Sequence, residues 1–144
     1  MKLIYRLITC ILLLSFVTYV HSFELNISTK KSEYPCGEPI VIYVSLQNTE
    51  NKSVELPKFL GPEYYEVEYY INGKRFIPCI LMDAIEPSKY FEPGEIIEEE
   101  VMLSFNGKEW LFPKSGDYII TAQMYGQSSN MLTVTTPAVK KIHH

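Results

Sequence analysis

The residues with chemistry to offer are few, and their placement argues against catalysis. The chain has three histidines: His21 lies close behind an amino-terminal apolar run, and His143 and His144 are the last two residues. A Ser–His or Cys–His nucleophile pair would therefore lack its base in the body of the fold. A terminal histidine is a poor substitute, because a catalytic group must be held to within about 0.5 Å. Zinc meets the same shortage, since Cys36, Cys79 and the histidine tail show no ligand spacing. Carboxylates are plentiful, above all in Glu98-Glu99-Glu100. On a strand only Glu98 and Glu100 share a face. They read as a solvated edge that discourages sheet-to-sheet pairing, not as a hydrolytic carboxylate pair, which also needs a cleft. The only aspartates, Asp83 and Asp117, build no Asp-x-Asp calcium loop, and no Gly-rich phosphate loop occurs. We expect no catalysis, no metal and no cofactor.

Aromatic residues offer more. All eleven tyrosines except Tyr5 and Tyr19 follow residue 22. Tyr43, Tyr64, Tyr70 and Tyr125 fall where an outward sheet face is expected. Tyrosine and tryptophan suit contact surfaces because they bury much area at little entropic cost while keeping a polar tip. Residues 64–71 alternate, placing Tyr65, Val67, Tyr69 and Ile71 on one face and Tyr64, Glu66, Glu68 and Tyr70 on the other. The second face is a candidate binding surface. Trp110, in the loop-like stretch 106–110, is a second candidate, with the alternative that it joins Leu111 and Phe112 in plugging one end of the fold.

These residues must be positioned by strands. Alternation over residues 23–28 and 40–47, the latter with Ile40, Ile42, Val44 and Leu46 on one face, is the half-buried strand pattern. Asn72-Gly73 marks a hairpin, since both central residues of a type I′ turn need positive φ, and residues 74–81 are expected to return antiparallel. Glu92-Pro93-Gly94-Glu95 is a further turn, opening a strand over 96–105. Residues 131–136 close the sheet. Gly116 and Tyr118 form the pattern of a tyrosine corner, in which the phenol bonds back to upstream backbone in an immunoglobulin-like sandwich, with Tyr118, Ile120, Ala122 and Met124 inward. No stretch has capped helical periodicity. The fold class expected is all-β, an immunoglobulin-like antiparallel β-sandwich of seven or eight strands.

Lys2 and Arg6 precede a 14-residue, mostly aliphatic run, and Val20-His21-Ser22 supplies an exit before Phe23. That is the three-part pattern of a secretory signal peptide, and the run falls short of the roughly 20 residues that span a bilayer. The Thr before Cys10 is wrong for a lipoprotein box. The organisation expected is a signal peptide over 1–22 and one domain over 23–144, secreted or periplasmic. All 17 acidic residues lie beyond residue 22, so the exported part is more negative than the −4 of the whole chain. Nucleic acid and anionic membrane are therefore not expected partners. Cys36 and Cys79 are an even pair, which in an oxidising compartment suggests a disulfide, the alternative being two separately buried thiols. Asn26-Ile27-Ser28 and Asn51-Lys52-Ser53 are sequons that a eukaryotic secretory route would read, Asn51 being the better placed.

Residues 30–46, with Lys31, Tyr34 and Gly37-Glu38-Pro39-Ile40, resemble the opening of bacterial immunoglobulin-like and macroglobulin-like domains. Those usually carry Tyr-x-Pro-Gly; Tyr34-Pro35-Cys36-Gly37 has a cysteine at the proline position, compatible with a family-specific disulfide. Asn48-Thr49 with Ser53-Val54, Ile71-Asn72-Gly73-Lys74, Glu92-Pro93-Gly94-Glu95 and Gly116-Asp117-Tyr118 come in an order similar to that of intracellular proteinase inhibitor domains of the BsuPI type. The first resemblance implies a sandwich that binds a macromolecule. The second implies an inhibitor acting through a rigid exposed loop, for which residues 58–63 or 85–92 are candidates.

The functional expectation is a non-catalytic extracytoplasmic module that contacts another protein through the aromatic and acidic face of Tyr64, Glu66, Glu68 and Tyr70, through Trp110, or through its loops. Proteinase inhibition is the alternative. Carbohydrate binding through Trp110 and the tyrosines is the weakest of the three readings.

Overall fold

A computed structural model describes residues 22–104 and 106–138. Ten strands form in the order β1 (Phe23–Ser28), β2 (Ile40–Asn48), β3 (Val54–Pro57), β4 (Glu68–Ile71), β5 (Lys74–Phe76), β6 (Ser88–Phe91), β7 (Ile96–Leu103), β8 (Gly116–Met124), β9 (Gln127–Ser128) and β10 (Leu132–Thr136). Eight of them have four residues or more; the extra segments are the short β5 and β9. One sheet has the order β1-β2-β7, and the other has the order β10-β8-β4-β5 with β9 paired to β8. The pair β3-β6 forms a small third sheet. The strand pairs within these sheets are antiparallel. The chain is an all-β, immunoglobulin-like sandwich.

Period-2 patterning explains the layers. In β2 every second residue, Ile40, Ile42, Val44 and Leu46, is wholly buried, while Val41, Tyr43, Ser45 and Gln47 lie on the outer face. From the other sheet Tyr69, Ile120, Ala122 and Met124 meet them in one continuous core, to which Leu56 and Phe91 of the third sheet also belong. Burying side chains of this size contributes about 1.5–3 kcal/mol each. Residues 32–34 cross from the first sheet to the second. There Tyr34 N–H donates to the Thr135 carbonyl at 2.9 Å and Thr135 N–H donates to Ser32 at 2.8 Å, in a parallel bridge.

Asn48, wholly buried at the end of β2, ties two turns together. Its amide donates to the carbonyls of Lys52 and Phe91, both at 2.9 Å, and its side-chain oxygen accepts from Glu50 N–H at 2.9 Å. Its own backbone bonds Glu95 and Gly94 of the β6–β7 turn, each at 3.0 Å. Every polar group of the residue is thus engaged, which a buried amide requires.

Three expectations are corrected. The alternation of residues 64–71 is not one strand. Pro62 opens a 3₁₀ turn over Pro62–Tyr64 and Tyr65 is left-handed at φ 66, so the strand begins only at Glu68. Tyr65 is consequently 51 % exposed while Val67, Tyr69 and Ile71 are buried. The return strand after Asn72-Gly73 stops at Phe76, ahead of Pro78, which has no N–H to donate to a ladder. The Asn72 and Gly73 turn itself has φ of 49 and 78, the signs a type I′ turn needs. Finally, Cys36 and Cys79 are free, exposed thiols. Cys36 sits in the turn before β2, where the adjacent Gly37 N–H donates to Phe112 O at 3.3 Å. Cys79 lies in the loop after β5, so close to Gly107 that a Cβ there would come within 2.7 Å of its own Cβ. Their surroundings are neither a disulfide nor the buried thiols of the alternative reading.

Candidate functional site

The tyrosine and glutamate face is divided by the early turn. Tyr64 lies in the 3₁₀ turn, with its ring stacked on Phe59 at 4.6 Å between centroids. Glu66, Glu68 and Tyr70 remain together on the outer side of β4 and its lead-in, joined by Tyr125, which was expected on an outward face, and by Arg75, which sequence reasoning did not place there. Tyr125 donates its phenolic hydrogen to Glu66 at 2.9 Å, and Arg75 pairs with Glu68 at 2.9 Å. Tyr70 donates to the second oxygen of Glu68 at 2.8 Å. Partial burial, and then the Glu66 carboxylate, push the Tyr125 phenol up to about 12. The hydrogen bond to Glu68 likewise raises Tyr70. Both carboxylates therefore already hold partners, and the face is a bonded surface beside a polar cleft of about 250 Å³ that Tyr65 also lines.

Trp110 stands elsewhere, 55 % exposed beside a shallow cleft of about 210 Å³ lined also by Ile71, Phe76, Leu111 and Tyr118. The Lys74–Glu109 ion pair at 2.8 Å lies beside it. Phe112 is buried and meets the Tyr118 ring edge-on at 5.0 Å. The Tyr118 hydroxyl donates to the Lys114 carbonyl at 2.7 Å and accepts from Lys114 N–H at 3.3 Å, four residues upstream. Gly116, at φ 142, opens that strand.

A third region has the features of a contact surface most fully. It consists of two loops, 58–64 between β3 and β4 and 77–87 between β5 and β6. Leu60 pins the first. Its side chain is wholly buried, its N–H donates to the Glu99 carboxylate at 2.7 Å, and its carbonyl accepts from the buried Tyr69 hydroxyl at 2.5 Å. Glu99 lies on the same side of β7 as Val101 and Leu103, facing the core. Burial, and then the nearby carboxylates of Glu99 and Glu63, raise the Tyr69 phenol well above its ordinary value, so it stays a hydrogen-bond donor. The second loop is braced on the first at two places: Met82 N–H donates to Glu63 O and Lys58 N–H donates to Pro87 O, both at 2.8 Å. Between these braces Ile85 is fully exposed, and Ile77, Ile80, Leu81 and Met82 on the same loop are also exposed. The stacked Phe59 and Tyr64 rings join Met82–Glu86 around a cleft of about 360 Å³. The rim carries Asp83 and Glu86, with Lys58 held 3.7 Å from Glu86. Among the described residues no three His, Cys, Asp or Glu side chains converge as metal ligands.

Sequence reasoning named residues 58–63 and 85–92 as candidate exposed loops, but took residues 77–81 as strand and so did not join the two loops into one platform. The signal available was Glu99. In a strand whose Ile97, Val101 and Leu103 face the core, position 99 faces it too, and an inward carboxylate calls for a buried donor.

No family model matches the chain, and no curated protein matches it. The likeness to inhibitor domains therefore keeps only its turn motifs, and the likeness to immunoglobulin-like domains stands at the level of fold. Among solved structures, a β-glucosidase of Erythrobacter marinus is 17 % identical with a TM-score of 0.50, covering 81 % of this chain and 15 % of its own. The chain thus spans a small part of that enzyme's length. The CARDB domain of a Pyrococcus furiosus protein, solved with di-metal ions, is 13 % identical with a TM-score of 0.48, over 80 % of this chain and 87 % of its own. An alkylpurine DNA glycosylase of Pseudomonas fluorescens is 12 % identical with a TM-score of 0.48, over 81 % and 31 %. Likeness at such identity concerns fold alone, and one sandwich hosts many functions.

Proposed function

We propose that this chain is a non-catalytic, extracytoplasmic binding module that contacts another protein through the platform of loops 58–64 and 77–87. The observation that carries the reading is the exposure of Met82 and Ile85 on a loop segment braced at Met82 and Pro87, with Ile77, Ile80 and Leu81 exposed earlier on the same loop. Exposed apolar side chains around a cleft with a polar rim suit an interaction site, and a pre-held loop loses little entropy on binding. The tyrosine face of Glu66, Glu68 and Tyr70 is the lesser candidate, since its polar groups already bond one another. Extracytoplasmic placement rests on the signal-peptide pattern of residues 1–22, which, Ser22 apart, lies outside the described residues.

The test is capture of partners from the extracellular or envelope fraction with the protein and with Ile85→Asp as baits. A hot-spot loss of about 2 kcal/mol or more is expected for the variant, with thermal stability unchanged because the side chain is fully exposed. Equal capture by both baits would remove the platform from the reading. The braced loop also favours a second reading, proteinase inhibition, since an inhibitor needs a rigid exposed segment. That reading requires the protein to slow a peptidase recovered in the capture, and requires Ile85→Asp to abolish the slowing.

A further inference from the structure

The platform's cleft constrains what can fill it. Its floor is apolar and aromatic, with Phe59 stacked on Tyr64 at an interplanar angle of 18° and Met82 beside them. Around it stand the carboxylates of Asp83 and Glu86 against one ammonium, that of Lys58. This ammonium is already held by Glu86 and lies 5.7 Å over the Phe59 ring. The balance of the rim is negative, in a chain that is itself negative at −4.

Three occupants can be compared on that charge. A second copy of this chain in a two-fold interface would set the same patch against itself, bringing acidic rims together where like charges disfavour contact. A lipid surface with anionic headgroups would be repelled in the same way. A partner with complementary charge would be steered in. Resting on the platform reading above, we infer that the cleft between Phe59–Tyr64 and Met82–Glu86 takes an aromatic or long aliphatic side chain of a partner protein, flanked in that partner by lysine or arginine. The apolar side chain seats on the stacked rings; the flanking cations meet Asp83 and Glu86.

Amide resonances of the protein followed by NMR during titration with acetylated, amidated tripeptides test this. Lys-Phe-Lys is expected to shift residues 58–64 and 82–86, and to bind about tenfold more tightly than Glu-Phe-Glu or Lys-Ser-Lys. Neutralising the rim in the double variant Asp83→Asn, Glu86→Gln is expected to erase the preference between the first two. Equal or tighter binding of Glu-Phe-Glu, or no platform shift with any peptide at millimolar concentration, overturns the inference. So does association of the protein with itself, or with phosphatidylcholine vesicles, that Ile85→Asp abolishes. The two readings fail separately: if the peptides fail but Ile85→Asp still loses the captured partner, the anchor chemistry falls and the platform stands.

Discussion

The Asn48 turns and the 58–64/77–87 platform are held by the same device and put to opposite use. In each, one buried residue fixes loop backbone through both donors and acceptors: Asn48 for the β2–β3 and β6–β7 turns, Leu60 with Glu99 and Tyr69 for the platform. The Asn48 turns then present polar side chains, with Ser53 bonded to Glu92 at 2.9 Å and Lys89 paired with Glu95. The platform presents bare aliphatic side chains, of which Ile80 is 67 % exposed. Anchoring of equal quality thus serves closure in one place and display in the other. A rigid loop alone says nothing of binding; a rigid loop with uncovered apolar residues does.

The contrast can be broken at several points. The largest effect is expected for Asn48→Ala, which strands the carbonyls of Lys52 and Phe91 and the N–H of Glu50. A loss of roughly 3 kcal/mol is expected, lowering Tm by on the order of 10 °C in a domain of this size, with partner capture per folded molecule unchanged. Denaturant unfolding and capture together check it. Next is Glu99→Ala, which removes the charge-assisted acceptor of a buried N–H, at about 2 kcal/mol. Faster hydrogen exchange is expected at Leu60 and Met82 while the amide of Asn48 keeps its protection. If both regions loosen alike, the platform is not separately pinned. The smallest effect concerns acid. The Lys89 ammonium first, and Glu92 N–H second, hold the Glu95 carboxyl below its ordinary 4.5. A depressed folded value means that its contribution to stability is full above the ordinary value and disappears as pH falls through the folded one. Lys89→Met should move the Glu95 titration, followed by carboxyl carbon NMR, back towards 4.5.

The parts of the fold legible in the sequence are those where a local rule has one outcome. Alternation in β1 and β2 assigns faces because a strand has period 2. Asn72-Gly73 marks a hairpin because few residues accept two positive φ values. The Gly116 and Tyr118 spacing describes a phenol bonded back to upstream backbone, and a bond to the Lys114 carbonyl is present at 2.7 Å. The site was less legible because its cause is distant. Nothing near Ile77, Ile80 or Leu81 says whether an apolar run will be covered, and strand interior was the natural reading, whereas Ile85 fell in a segment already expected to be a loop. Tyr64 left its expected face because Pro62 turns the chain before alternation can set in. Leu60 is pinned by Glu99, 39 residues away, a pairing that no short pattern in the sequence encodes.

The crossing of residues 32–34 onto β10 has a mechanical consequence. There Thr135 accepts a backbone bond from Tyr34 and donates one to Ser32, with the two segments running in the same direction. Tension that draws the chain backwards from residue 32 and forwards from residue 136 pulls these neighbours in opposite directions along their length. Both bonds are then loaded at once, in shear, and must fail together; a hairpin pulled open from its end yields one bond at a time. The parallel bridge is therefore a clamp across the two sheets, and it resists stretching of the chain more than its two bonds would suggest.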